Sequence, residues 1–336
     1  MIHAPEDIMC YAVQGERPLW KNTNVTPKDI RRVFKRSPCL TCVLAKKRKE
    51  GMAQWKPRRK YKRLRTSKER KPSTKEEMDN QDEEDAKTYK PGELLSCDNV
   101  GPVNPKSFEG YTQTFIWRDT ATKRMFSHSD SEATEDVYLE GLEEIRLYYK
   151  NRGIRIKVIR TDDFTTFKSR KVRSYYAKHG IERQSSTPYQ HWQNSVESDI
   201  QTMIHNISAV IHGSLLMRAD SWNRALKHWI RVHNDLPRSA QRYSPNAIMD
   251  NMHQVDARYQ YRFAYGDIVC YPLAEKERRW KFDTKNEMGF YLGDKKGMKG
   301  GYHILTTRGD VHRVRISEIE HMEWYGATQR PQENRQ

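Results

Sequence analysis

The sequence lacks features that three classes of protein require. No stretch approaches the roughly 18–20 consecutive apolar residues of a membrane-spanning helix. The first ten residues, MIHAPEDIMC, contain no apolar segment of the kind found in secretory signals. Only five cysteines occur in 336 residues, too few for a disulfide scaffold. We therefore expect an intracellular chain that contacts no membrane.

Apolar residues are also scarce. Only 36% of the chain is hydrophobic, which is low for a protein that is globular throughout. A length of 336 residues suggests two or three domains, so part of the chain should be linker. We place a charged flexible linker at residues 46–91, which are basic, then acidic, and poor in aliphatic side chains.

The charge is unevenly distributed along the chain. The formal net charge is +17, and residues 46–75 hold 15 Lys and Arg against two Glu, whereas residues 76–85 hold seven carboxylates. Basic side chains interleaved with Trp55 and Tyr61 favour a nucleic-acid partner over a merely solvated linker. A basic run of this kind is also typical of a nuclear localisation signal, so we expect a nuclear protein. The candidate nucleic-acid-binding residues are Lys56, Arg58, Arg59, Lys60, Lys62, Arg63 and Arg65.

The rest of the chain divides into structured segments. Residues 1–45 predict a small helical module, with a helix near Pro27 whose apolar positions are Ile30, Val33 and Phe34. Residues 92–250 show three strands, then helix, strand, helix, strand and helix, with IRIKVIR (154–160) as the fourth strand. This order predicts an α/β fold, a mixed sheet flanked by helices. Short strands in 256–325 predict a small β-barrel, and 326–336 a disordered tail.

Three carboxylates occupy positions from which they can meet at one site. Asp98 lies near the end of the first strand, Asp162 at the end of the fourth, and Glu197 on the first turn of the helix after a polar loop. Phosphodiester displacement by two metal ions needs such carboxylates delivered from different elements to one point. The alternative for each residue alone is a solvated strand end or helix start.

The motifs around these carboxylates resemble a known family. SCDNVGP surrounds Asp98, IRTDDFTTF surrounds Asp162, and TPYQHWQNSVES surrounds Glu197. In this order, with spacings of 64 and 35 positions, they are similar to the D-D-E motifs of retrotransposon integrases of the copia type. The segment GDIVCY and the later KFDTKNEMGFYLGDKKGMKGGYHIL also resemble that family's C-terminal part.

The resemblance implies a fold and an activity. The core would be ribonuclease H-like, and the C-terminal segment an SH3-like barrel. Asp98, Asp162 and Glu197 would bind two Mg²⁺ or Mn²⁺ ions and catalyse transfer of element DNA ends into target DNA. Integration of two ends also implies a homo-oligomer.

Several positions depart from the family pattern. Asp163 stands where the family has Asn, and Phe164 and Thr165 replace two glycines that would allow a tight turn. Ser195 replaces a Gly, and Ser198 replaces an Arg on the Glu197 helix. The apolar line of that helix is predicted as Ile200, Ile204, Ile207 and Ile211, and its other side carries no Lys or Arg. Two further hypotheses therefore stay open: a catalytically impaired, integrase-derived DNA- or chromatin-binding protein, and a ribonuclease H-type nuclease.

A zinc site is predicted near the N-terminus. Cys39 and Cys42 form a C-x-x-C pair, which suits tetrahedral zinc better than a bridge. The pair resembles the end of the family's His-His-Cys-Cys module, with His3 as a plausible third ligand. Cys10 either completes the site or is simply a buried residue.

Overall fold

The structure is a computed structural model, and several parts of the chain are described in it. These parts are residues 20–21, 25–36, 85, 88–162, 164–185, 196–214, 216, 218–237, 243–250, 255–256, 263–273, 275, 278, 280–281, 284–294, 301–306, 311–315 and 320–321. No helix in these parts is both long enough and apolar enough to cross a membrane.

The N-terminal part contains the helix expected after the Thr-Pro pair. A short strand, β1 (Trp20–Lys21), precedes helix α1 (Pro27–Arg36). The N–H of Asp29 donates to the Thr26 hydroxyl, and the N–H of Thr26 donates to the Asp29 carboxylate at 3.0 Å, which caps the helix start. Ile30 is buried, but Val33 is 60% exposed, so the prediction that Val33 belongs to the apolar face is wrong.

The central sheet has five strands of mixed direction. They are β2 (Leu94–Val100), β3 (Gln113–Asp119), β4 (Met125–Asp130), β5 (Val158–Thr161) and β6 (Glu182–Ser185). The strand order is β4-β3-β2-β5-β6, with β2, β3 and β4 antiparallel and β5 and β6 parallel to β2. This confirms the predicted α/β class with a mixed sheet.

The fourth strand is shorter than the sequence suggests. The β-branched run 154–160 predicts a strand throughout, yet β5 begins only at Val158. Its partner explains the difference, because β2 begins at Leu94, which lies opposite Val158. The N–H groups of Lys157 and Val158 both donate to the Glu93 carbonyl at 2.9 Å, so the paired ladder starts there.

Helices cover both faces of the sheet. The helices are α2 (Glu135–Lys150), α3 (Arg170–His179), α4 (Val196–Gly213), α5 (Trp222–Asp235) and α6 (Pro245–Met249). Helices α2 and α3 pack with Leu95, Cys97 and Trp117 on one face. Helices α4 and α5 pack with Ile116 and Met125 on the other. Strand β3 shows the alternation, because Phe115 and Trp117 enter one core and Ile116 the other.

A second sheet is formed by the C-terminal strands. They are β7 (Val255–Asp256), β8 (Ile268–Pro272), β9 (Asn286–Asp294), β10 (Gly301–Thr306), β11 (Val311–Arg315) and β12 (Glu320–His321). All but β7 form an antiparallel sheet of order β11-β10-β9-β8-β12, while β7 pairs with β1. Leu292 and Leu305 join the core beneath α4 and α5, and Arg231 of α5 pairs with Asp294, so this sheet is attached to the helical layer.

Candidate active site

Two of the three predicted carboxylates belong to neighbouring positions of adjacent strands. Strands β2 and β5 are parallel, and Cys97 lies opposite Thr161. Asp98 in β2 and Asp162 just after β5 each follow one position later, so strands about 4.8 Å apart bring the two residues close together. Asp98 lies opposite Ile116 on β3, which belongs to the core beneath α4 and α5. The side chain of Asp98 is therefore on the face that α4 covers.

Both carboxylates affect the pKa of the buried Cys97 thiol. Cys97 is fully buried on the α2–α3 face. Burial raises the pKa of its thiol well above the ordinary value, and the charges of Asp98 and then Asp162 raise it further. Both carboxylates are thus within electrostatic reach of one atom, in agreement with the strand register.

Phe164, two positions after Asp162, does not adopt a backbone conformation that requires glycine. The Asp162 Oδ1 atom accepts a hydrogen bond from the Phe164 N–H at 3.1 Å, an Asx-type turn. Phe164 has φ −58° and ψ 138°, an ordinary extended conformation for any residue. Its ring packs edge-on against the fully buried Phe167 at 5.8 Å. At position 164, therefore, loss of the family's glycine is compatible with an ordered turn, while Asp163 lies outside the described residues.

Arg183 of β6 is a positioning residue that sequence reasoning missed. Its Nε donates to the Thr161 hydroxyl at 3.1 Å, and a terminal nitrogen donates to the Asp162 carbonyl at 3.1 Å. The guanidinium thereby fixes the end of β5 just where Asp162 leaves the sheet. Only the pairing of β5 with β6 reveals this role, because Arg183 lies 21 positions away in the sequence.

An ion pair attaches the start of α4 to the sheet. Asp199 on the first turn pairs with Arg118 of β3, and the two residues are only 7% and 3% exposed. Val196 and Ile200 on the same turn are buried in the core that contains Ile116, the neighbour of Asp98. This places the backbone of Glu197 on a turn held against the Asp98 face. The side chain of Glu197 lies outside the description.

The buried arc of α4 differs from the predicted isoleucine line. Ile200 and Ile211 are buried, but Ile204 is 41% exposed, so its prediction as a core residue is wrong. Met203 and Val210 are buried instead. At 100° per residue these four side chains are centred about 30° round the helix from Ile200, on the side away from Ile204. The exposed side carries no Lys or Arg, as predicted, because α4 contains neither.

The remaining candidate residues fall outside the described parts of the chain. These are the zinc candidates His3, Cys10, Cys39 and Cys42, and the seven basic residues of the linker. Among the described side chains, which do not include that of Glu197, no group of three or more His, Cys, Asp or Glu is placed to hold a metal ion. The linker's last carboxylate, Asp85, is described: it is buried and pairs with Arg160 of β5 at 2.7 Å.

Comparisons with known proteins add a distant likeness. The chain matches no family model and no curated protein sequence. It is similar to one chain of a solved assembly described as the cryoEM structure of simian T-cell lymphotropic virus intasome in complex with PP2A regulatory subunit B56 gamma. The identity is 10%, the match covers 70% of this chain and 83% of that chain, and the TM-score is 0.38. A TM-score this low does not by itself identify a fold.

The Arg118–Asp199 pair can be tested by removing one partner and then both. Arg118→Met leaves the Asp199 carboxylate buried without its cation, so we expect the free energy of unfolding to fall by about 3–5 kcal/mol. Adding Asp199→Leu removes the unpaired charge and should restore most of that loss, measured by urea denaturation.

The control is Lys171→Met, which breaks the exposed pair with Asp136 and should change the free energy of unfolding far less than Arg118→Met does. A double variant that is less stable than Arg118→Met would contradict the role given to this pair.

Proposed function

We propose that the chain is an integrase-type polynucleotidyl transferase whose site is formed by Asp98, Asp162 and Glu197. The observation that carries the proposal is the register of β2 with β5, in which Asp98 and Asp162 directly follow the opposed residues Cys97 and Thr161. Both carboxylates would then face the first turn of α4. The mixed sheet with helices on both faces agrees with the ribonuclease H-like core that the sequence motifs imply. The copia-type assignment rests on those motifs alone.

The donor set fits Mg²⁺ or Mn²⁺. Hard divalent cations prefer carboxylate oxygens, and Asp98 and Asp162 offer such oxygens from neighbouring strand ends. Glu197 would add a third carboxylate from α4. Two bound ions supply activation of an attacking water or 3′-hydroxyl and stabilisation of the leaving oxygen.

The chain's own residues prepare this site. The Phe164 N–H holds one oxygen of Asp162 and leaves the other for a ligand. On the Asp98 side, Oδ1 accepts the N–H of Asn99 at 2.7 Å. Arg183 fixes the backbone of Asp162, while the Arg118–Asp199 pair fixes the first turn of α4. The carboxylates of Asp98 and Asp162 and the backbone of the turn that carries Glu197 are thus each held by a separate local contact, which would reduce the rearrangement needed when cations and DNA bind.

The basic linker would supply most of the affinity for DNA. Its Lys and Arg side chains suit phosphate contacts that carry no sequence information. We also propose that the same run directs the chain to the nucleus, that the active form is a homo-oligomer, and that Cys39, Cys42 and His3 bind zinc. The divisions at 45, 91 and 250, and closure of the C-terminal sheet into an SH3-like barrel, belong to the same proposal.

A second candidate is a non-catalytic DNA- or chromatin-binding protein derived from an integrase. The exposed side of α4 favours it, because Ser198, Gln201 and Ile204 offer no positive charge to a DNA strand beside the site. The additional carboxylate of Asp163 favours it as well. The two candidates differ in one property, metal-dependent cutting or joining of DNA.

A strand-transfer assay separates the two candidates. Wild-type protein, a labelled duplex with randomised terminal bases, a plasmid target and Mn²⁺ or Mg²⁺ should give joined products. Glu197→Gln and Asp98→Asn should each lower the rate by about a thousandfold or more, since metal ligation contributes several kcal/mol to the barrier. Glu140→Gln on the exposed surface of α2 is the matched control and should leave the rate unchanged. A wild-type protein that neither joins nor nicks DNA would contradict the enzyme proposal.

DNA affinity should depend on the linker and on salt. If the seven basic candidates all contact phosphates, replacing them with Gln should reduce the slope of log affinity against log salt by up to about six. Fluorescence anisotropy with a labelled duplex measures this slope. Deleting 76–84, which removes six carboxylates and no basic residue, is the control and should not weaken binding. An affinity that salt does not change would contradict the role proposed for the linker.

A further inference from the structure

A concave basic pocket lies where the chain enters β5, at the end of that strand opposite to the one that Asp162 follows. It has a volume of about 460 Å³, within the range of small-ligand sites. Among the described residues, five basic side chains line it and no acidic one does: Arg146, Lys150, Arg155, Lys178 and His179. We refer to this site as the basic pocket.

The floor of the basic pocket is apolar. Ile154, Ile156 and Ile181 line it, and the last two are 2% and 7% exposed. Ile156 precedes β5, whereas Asp162 follows the same strand, six positions later. Extended chain covers up to about 20 Å over that distance. The basic pocket is therefore separate from the candidate active site.

Most of the positive charge in the pocket is not neutralised. Glu143 pairs with Arg146, with Nε and Oε2 2.7 Å apart, and the hydrogen bond from Arg146 helps to lower the pKa of Glu143 to about 2. Among the described residues, Lys150, Arg155 and Lys178 pair with no carboxylate. Arg155 donates only to the His179 carbonyl, at 3.1 Å. Three cations are thus left facing the pocket.

The negative ends of two helix dipoles neutralise only part of this positive charge. Lys150 and Lys178 lie in the last turns of α2 and α3, where cations stabilise the helix. Each helix end carries about half a negative charge, so the two ends offset about one of the three cations and leave about two. The pKa of His179 responds to this field: burial lowers it, Arg146, Lys178 and Arg155 lower it further, and only Glu143 opposes them.

We propose that the basic pocket binds a nucleotide through its terminal phosphate, with Lys150, Arg155 and Lys178 around the phosphate and the base against Ile154, Ile156 and Ile181. A phosphate monoester carries about −1.5 to −2 charges at neutral pH, which matches the charge left over, whereas a phosphodiester carries only about one. The apolar floor is what selects a ligand with a base over free phosphate. Two sources offer this chemistry, a free mononucleotide and the 5′-phosphate end of a DNA strand. The inference does not rest on the proposed catalysis.

Binding can be measured on the full chain without divalent metal, so its outcome is independent of strand transfer. The probes are deoxyadenosine 5′-monophosphate, inorganic phosphate, and one short single strand with and without a 5′-phosphate. The readouts are the dissociation constant and the pKa of the His179 imidazole by NMR, assigned with His179→Gln. A bound dianion beside His179 should raise that pKa.

The double variant Lys150→Gln, Lys178→Gln should weaken mononucleotide binding by about tenfold or more and abolish the rise in the His179 pKa. The double variant Arg170→Gln, Arg173→Gln removes two positive charges from exposed residues of α3 outside the pocket and is the matched control. Tighter binding of the 5′-phosphorylated strand than of the same strand without the phosphate, lost in the Lys150→Gln, Lys178→Gln variant, would support the strand end as ligand. Equal binding of the two strands would support the free nucleotide.

Three results would overturn the proposal. The first is a His179 pKa that no nucleotide probe changes. The second is equal weakening by the Arg170→Gln, Arg173→Gln control, which would mean unspecific surface attraction. The third is inorganic phosphate that binds as tightly as the mononucleotide, which would remove the role of the apolar floor.

Discussion

The parallel pairing of β2 with β5 is the constraint on which the candidate site depends. With Cys97 opposite Thr161, the next residues, Asp98 in β2 and Asp162 just after β5, lie beside each other. A slip of one residue would turn one carboxylate into the opposite core. Nothing in either motif alone fixes this register. It is set by the start of β2 at Leu94 and by the bonds of Lys157 and Val158 to the Glu93 carbonyl.

The opposite face of the sheet keeps that register in place. Phe115, Tyr138 and Phe167 form a buried aromatic cluster, with ring centroids 5.0–5.9 Å apart. Aromatic contacts of this geometry stabilise beyond the burial of their area. Phe167 also belongs to the segment that follows Asp162, and Phe164 packs on it. Phe164, which replaces one of the family's glycines, therefore contacts the core through Phe167.

Local signals in the sequence predicted more than long-range ones. The helix after Pro27 and the order of strands and helices in the central segment could be predicted because each element depends on neighbouring residues. Val33 and Ile204 were misplaced because helical spacing gives a line of residues but not which side the core covers. Arg183 was missed because its partners lie on and just after another strand. The two aspartates were predicted from motif and spacing, but the proximity of their backbones could be seen only from the register.

The most direct test of this account is the position of bound Mn²⁺ in crystals of the wild-type protein, located by anomalous scattering. The account predicts anomalous density between the carboxylates of Asp98 and Asp162, with the side chain of Glu197 reaching it from α4. Loss of that density in Asp98→Asn crystals would assign the ligand. Mn²⁺ bound elsewhere, or a Glu197 side chain directed away from the two aspartates, would contradict a single site built from the three carboxylates.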